Sequence, residues 1–194
     1  DSRALPSCGR AGQWVKRMIV ETGHYALVLA LALAAVQAIL PLWGSLTRDA
    51  TLMRIAPSAA LMQFLLVAIA YGSLTWSYVS SDFSLVNVFE NSHSLKPLVY
   101  KISGVWGNHE GSMLLWVLIL VIFGALVALA ARNMPDELSA SVLSVQAWVS
   151  GAFLLFILLT SNPFARIPAP PMEGRDLNPI LQDPGLAIHP PLLY

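Results

Sequence analysis

An all-α, polytopic membrane protein with four transmembrane helices and an extended, proline-rich C-terminal segment is the fold this sequence predicts. Three observations lead there. Of 194 residues, 56% are hydrophobic and only 11% are charged, whereas ordinary globular chains carry about 25% charged residues. The charges present are segregated: no Asp, Glu, Lys or Arg occurs from Thr22 to Thr47, from Ile55 to Ser81, from Gly111 to Ala131 or from Leu138 to Ala165. Each gap reaches the run of about 20 residues that a helix needs to cross a hydrocarbon core, and a charge at its centre would cost about 2.5–3.5 kcal/mol. Finally, eight of the thirteen prolines fall in residues 161–194, which argues against a long helix there.

Taken in order, residues 1–17 are mixed in polarity and read as an upstream extension before a native start near Met18. The first span is predicted at Tyr25–Trp43. It is rich in Leu, Ala and Val and closes on Pro41-Leu42-Trp43-Gly44, a helix stop with an interfacial tryptophan. Its apolar run is too long for a signal peptide, and three further spans follow it. The second, Pro57–Val79, opens on a proline tolerated in a first turn and ends in an aromatic belt, Trp76 and Tyr78. The third is Met113–Ala131 and the fourth Val142–Thr160, which stops at Ser161-Asn162-Pro163. Gln63, Ser73, Thr75, Gln146 and Ser150 are polar residues within spans; hydrogen bonds between helices are their expected use.

The connecting segments divide unequally. Residues 44–56 and 132–141 are short turns, and residues 80–112 and 161–194 are long; both long ones share a membrane face with the N-terminus. That face carries eight basic residues against three on the other, but leaving out residues 1–17 reduces the count to four against three. Charge therefore does not set orientation. In 161–194, Ile, Leu and Met are interleaved with the prolines, so an ordered strap lying on the membrane-embedded body is expected rather than a linker. The chain stops at Tyr194 as a new apolar run begins, the expected sign of a fragment.

Composition excludes several chemistries. The formal net charge is zero, so nothing points to a nucleic-acid partner. The one cysteine, Cys8, leaves no disulfide framework, four-cysteine zinc site, CxxC pair or CxxCH haem attachment. No P-loop, GxSxG or Rossmann pattern occurs. Four histidines remain. His24 and His93 read as interfacial or solvated. His109 lies in Trp106-Gly107-Asn108-His109-Glu110-Gly111-Ser112; Met113 stands where HExxH needs its second histidine, so a zincin is excluded. Asn108 can cap the following helix and Glu110 suits its first turn, which leaves His109 either loop packing or a polar contact to a bound ligand. His189 precedes Pro190-Pro191, which biases it to an extended conformation and presents an imidazole at the membrane boundary, as an axial ligand or a structural histidine.

The blocks Gly104-Val105-Trp106-Gly107-Asn108-His109-Glu110-Gly111-Ser112-Met113-Leu114-Leu115-Trp116, Leu158–Phe164, and Glu173-Gly174-Arg175-Asp176-Leu177-Asn178-Pro179 running on to His189-Pro190-Pro191-Leu192-Leu193-Tyr194 resemble the N-terminal part of the CcmF family of bacterial cytochrome c maturation proteins, within the haem-handling superfamily. The resemblance runs from about Met18 to Tyr194. It implies a multi-pass inner-membrane protein, its N-terminus and long loops periplasmic. With CcmH, and in some organisms CcmI, such a protein acts as the haem lyase, taking haem from the chaperone CcmE and attaching it to apocytochrome c. It also implies that His189 matches the first of two periplasmic histidines ligating the transferred haem. The family's tryptophan-rich signature, its second periplasmic histidine and the histidines of its membrane b-type haem are expected beyond Tyr194, so this chain alone is expected not to bind haem stably. Two rival expectations stand beside it: a membrane transporter or proton-channel subunit, and a scaffold without chemistry.

Overall fold

The computed structural model describes residues 7–130, 133–176 and 178–193. Four helices in it are long and apolar enough to cross a membrane: α1 (Ser7–Thr47), α3 (Ile55–Val79), α6 (His109–Ala130) and α7 (Asp136–Thr160). The short helices α2 (Ala50–Met53), α4 (Val86–Asn91), α5 (Leu98–Gly104) and α8 (Pro184–Leu193) fill the connections and the C-terminal segment. Met18, the expected native start, lies inside α1, and residues 1–6 lie outside the described residues.

All four expected spans are present, but their helices overrun the expected limits at most ends, because the signals that stop a helix are independent of those that keep charge out of lipid. Pro41 does not end α1, which runs on to Thr47; a proline removes hydrogen bonds only to the preceding turn. The true stop is Arg48, which takes a left-handed conformation (φ 57°) while Asp49 N–H donates to the Gly44 carbonyl at 2.9 Å, a Schellman closure. The same device ends α3, with Ser81 at φ 50° and Asp82 N–H on the Ser77 carbonyl at 2.9 Å. At the start of α7, Asp136 and Glu137 occupy the first turn, where the helix dipole favours acids, so the helix begins before its apolar span.

The four long helices form an up-down bundle in which α1 and α6 each pack against both α3 and α7. The seam of α1 is a stripe of small residues, Ala26, Ala30, Ala34 and Ala38, all buried, which lets helix backbones approach closely. The large apolar side chains Leu29, Ile39, Leu65, Phe123 and Leu159 point outward and are exposed, the distribution a lipid solvent permits. Gln63 Nε2 donates to Ser150 Oγ at 2.9 Å and Gln146 Nε2 to the Leu120 carbonyl at 2.9 Å, the expected bonds between helices. Gln37, absent from that expectation, adds one to the Leu143 carbonyl at 3.0 Å. Ser73 and Thr75 instead bond back to carbonyls of their own helix, Ile69 and Tyr71.

Candidate functional site

At the end of the bundle where α3 stops and α6 begins, residues 80–108 and the segment after α7 build one platform. Its floor is a buried polar network. Tyr78 Oη, fully buried, donates to Asn87 Oδ1 at 2.6 Å and accepts from Asn108 Nδ2 at 2.9 Å. Asn87 Nδ2 bonds Asn108 Oδ1 at 2.7 Å and Glu110 Oε2 at 3.1 Å. Asn108 Oδ1 also accepts from Gly111 N–H at 2.8 Å, so it caps α6 as expected. The network joins α3, α4 and α6, and satisfied groups of this kind rigidify a site. His109 stands outside it: it is exposed, and its ring lies edge-on to Phe156 of α7 with centroids 6.3 Å apart.

Residues 162–176 cross this platform as a strap. Val86 N–H donates to the Ala165 carbonyl at 3.0 Å, and Ile167 N–H to the Ser84 carbonyl at 2.9 Å. Further along, Arg175 N–H reaches the Phe89 carbonyl at 2.7 Å and its guanidinium lies 5.4 Å from the Phe89 ring centroid. Lys96, with a side chain only 2% exposed, pairs with Asp176 at 2.6 Å. Ser94 Oγ donates to Glu173 Oε1 at 2.8 Å, and His93 Nε2 lies 3.6 Å from Glu173 Oε2. The Ser94 hydroxyl bond holds the Glu173 carboxyl below its ordinary value of 4.5. His24 borders the base of the strap, its ring 6.3 Å from that of Phe164 and its Nδ1 3.5 Å from Asn162 Nδ2.

The C-terminal part corrects the expectation. Residues 179–193 are not extended: a short turn of 3₁₀ helix, Pro179–Gln182, leads into α8, and Pro190 and Pro191 lie inside that helix. Asp183 starts it, accepting Gly185 N–H at 2.9 Å, with Pro184 at the first helical position, where a missing N–H costs nothing. The two later prolines lie near the C-terminal end, so they remove few helical bonds. One carbonyl so released, that of Ala187 four residues before Pro191, accepts Trp106 Nε1–H at 2.7 Å.

His189 is therefore carried on a helix rather than an extended strap, and its side chain is exposed. Beside it Ile188, Leu192 and Leu193 are also exposed. An apolar groove of about 260 Å³ separates α8 from α5, lined by Val99, Tyr100, Ile102, Trp106, Pro184 and Ile188 among others. The imidazole thus stands at the edge of an exposed apolar surface. Among the described residues no group of three or more His, Cys, Asp or Glu is placed to hold a bare metal ion. Trp106, Tyr78, Asn87 and Lys96 were not legible as site residues; of these only Trp106 lay within a block singled out by its sequence.

Residues 106–194 match the family model described as cytochrome C assembly protein. Over 177 residues, 91% of its length, the chain is 67% identical to the cytochrome c-type biogenesis protein CycK of Rhizobium meliloti. Over 178 residues it is 51% identical to the cytochrome c-type biogenesis protein CcmF of Pseudomonas aeruginosa. It spans 26% and 27%, about a quarter, of the lengths of these two curated relatives. Among solved structures, one described as cytochrome c heme lyase CcmF superposes with a TM-score of 0.69 at 26% identity, over 75% of this chain and 24% of that one.

Proposed function

The chain belongs to the CcmF-type cytochrome c assembly proteins, and on that footing we propose that it serves in a haem lyase of the bacterial inner membrane. In this reading the unit receives haem from the chaperone CcmE and, with CcmH and CcmI, helps attach it to the CxxCH cysteines of apocytochrome c. The platform and α8 face the periplasm, where the acceptor thiols are.

The observation that carries the reading is His189: an exposed imidazole beside an exposed apolar surface, on a helix anchored to a rigid platform. Haem is cargo here, and the attachment chemistry belongs largely to its own vinyl groups and the acceptor cysteines. A cysteine thiol loses its proton to solvent as its sulfur adds to a vinyl carbon, the C=C π bond is consumed, and a proton from solvent completes the neighbouring carbon, so the addition is redox-neutral. The protein's task is to hold the iron and orient the macrocycle. One imidazole supplies one axial ligand, so firm capture in this reading needs a second. The polar side chains in the bundle, Gln37, Gln63 and Gln146, are bonded to neighbouring helices, which favours a scaffold for this platform over the ionisable pathway of a transporter.

The test replaces His189 by Ala in the full gene product. Membrane abundance should be unchanged, while haem captured from the chaperone and the yield of c-type cytochrome both fall. An unchanged yield would overturn the assignment.

A further inference from the structure

We propose that Trp106 is a positioning residue for His189, its indole N–H supplying to α8 the hydrogen bond that Pro191 removes. The proposal rests on the reading of His189 as a haem ligand and adds to it the group that sets where the imidazole stands.

In an uninterrupted helix the Ala187 carbonyl would accept the N–H of residue 191, but Pro191 has none. Ala187 is buried, so water does not easily replace that donor, and a buried carbonyl left unpaired is unfavourable. Trp106 Nε1 meets this carbonyl at 2.7 Å, two residues before His189. The indole is itself held in place. Gly107 N–H donates to the Ser103 carbonyl at 3.0 Å, and Asn108, the next residue, is locked into the buried network by bonds to Tyr78 and Asn87. The position of α8 is thus referred back to the ends of α3 and α6 through one side chain.

A directional bond of this kind matters in so short an element. A helix of ten residues with two internal prolines has too few turns to hold itself together. The groove between α8 and α5 is lined largely by apolar side chains, and apolar packing resists sliding and rotation less than a directional bond does. Rotation of α8 about its axis would swing the imidazole away from its present direction while leaving the apolar contacts partly intact.

The test compares Trp106→Phe, Pro191→Ala and the double variant with the unaltered full gene product, reading amide hydrogen exchange across residues 184–193 and haem captured from the chaperone, a readout separate from any haem held within the membrane. Trp106→Phe keeps a ring in the groove and removes the N–H; exchange protection should fall about fivefold, the effect of one ordinary hydrogen bond, and haem capture should fall with it. Pro191→Ala restores a helical donor to the Ala187 carbonyl but not the tie to the platform, so the double variant should regain protection and not haem capture. Protection lost and not regained would mean that Trp106 acts by packing, and haem capture unchanged in Trp106→Phe or regained in the double variant would mean that the bond positions nothing; each overturns the proposal. If Trp106→Phe fails to accumulate in the membrane, the double variant decides: accumulation without haem capture supports the anchor, and accumulation with it, or failure to accumulate, overturns it. His189→Ala separates the two claims. Capture lost with protection of 184–193 intact supports the haem reading independently of Trp106. Capture unchanged removes that reading, and with it any positioning role for Trp106.

Discussion

Gly111 and Gly124 lie on the same helix, α6, yet a methyl group added at each meets different neighbours. At Gly111 a Cβ would overlap the Val105 carbonyl oxygen, backbone belonging to the turn that also carries Trp106 and Asn108. At Gly124 it would meet the amide tip of Gln146, a flexible side chain that can swing aside at the cost of its bond to the Leu120 carbonyl. Gly111→Ala should therefore destabilise by about 3 kcal/mol or more, at the top of the range for overpacking, and should disturb the platform. Gly124→Ala should lose about 0.6–1.7 kcal/mol, the measured scale of a hydrogen bond between helices in a membrane. Reversible unfolding of the two variants in mixed micelles checks both, and a larger loss at Gly124 than at Gly111 would contradict this account. The weight of Gly124 was hidden in the sequence, because its decisive neighbour is 22 positions away on another helix. The role of Asn108 was legible, because a cap and its helix are adjacent.

At the scale of elements, the proline-rich segment shows what a local rule captures and what it leaves out. Proline correctly implied lost backbone bonds after residue 186. The extended chain expected over 161–194 does not form at residues 179–193, because Asp183 and Pro184 supply a helix start and Trp106 supplies a replacement donor from 81 residues away. Residues 162–176 hold no helix and run along the platform. The far end of that strap is held partly by Glu173, whose carboxylate accepts from Ser94 and faces His93. Its depressed proton affinity has a definite sign: stabilisation from this contact is fully present above the unfolded value of 4.5 and is lost as pH falls through the lower folded value. Hydrogen-exchange protection of residues 167–176, corrected for the intrinsic rate, should therefore weaken as pH falls from 4.5 downward. Glu173→Gln should reduce that dependence, leaving the part due to the Lys96–Asp176 pair, and lower protection at neutral pH; a variant with the same acid response as the unaltered chain would place the titrating group elsewhere.

For the whole molecule, the charge-free gaps were sufficient to find all four spans, since the bilayer constrains every residue in the window at once. Neither the packing of those helices nor their orientation could be read that way. The bundle depends on alanine stripes and three glutamine bonds that pair residues on different helices, and the basic residues are too evenly divided to orient it. The fold nevertheless makes a definite statement about sides: the strap and the loop before α5 emerge together at one end of the bundle, and the α1–α2 turn emerges at the other. With Cys8 replaced by Ser to remove the single native thiol, cysteines can be placed singly at Met172 (95% exposed), at Leu95 (87% exposed) and at Arg48 (side chain 86% exposed). In intact spheroplasts a membrane-impermeant maleimide should label the cysteines at 172 and 95 and leave that at 48 unlabelled until the membrane is opened. Labelling of 48 alone would keep the fold but turn it over, placing His189 in the cytoplasm and removing it from reach of periplasmic acceptor thiols. Labelling of 172 and 48 together would break the four-span topology itself.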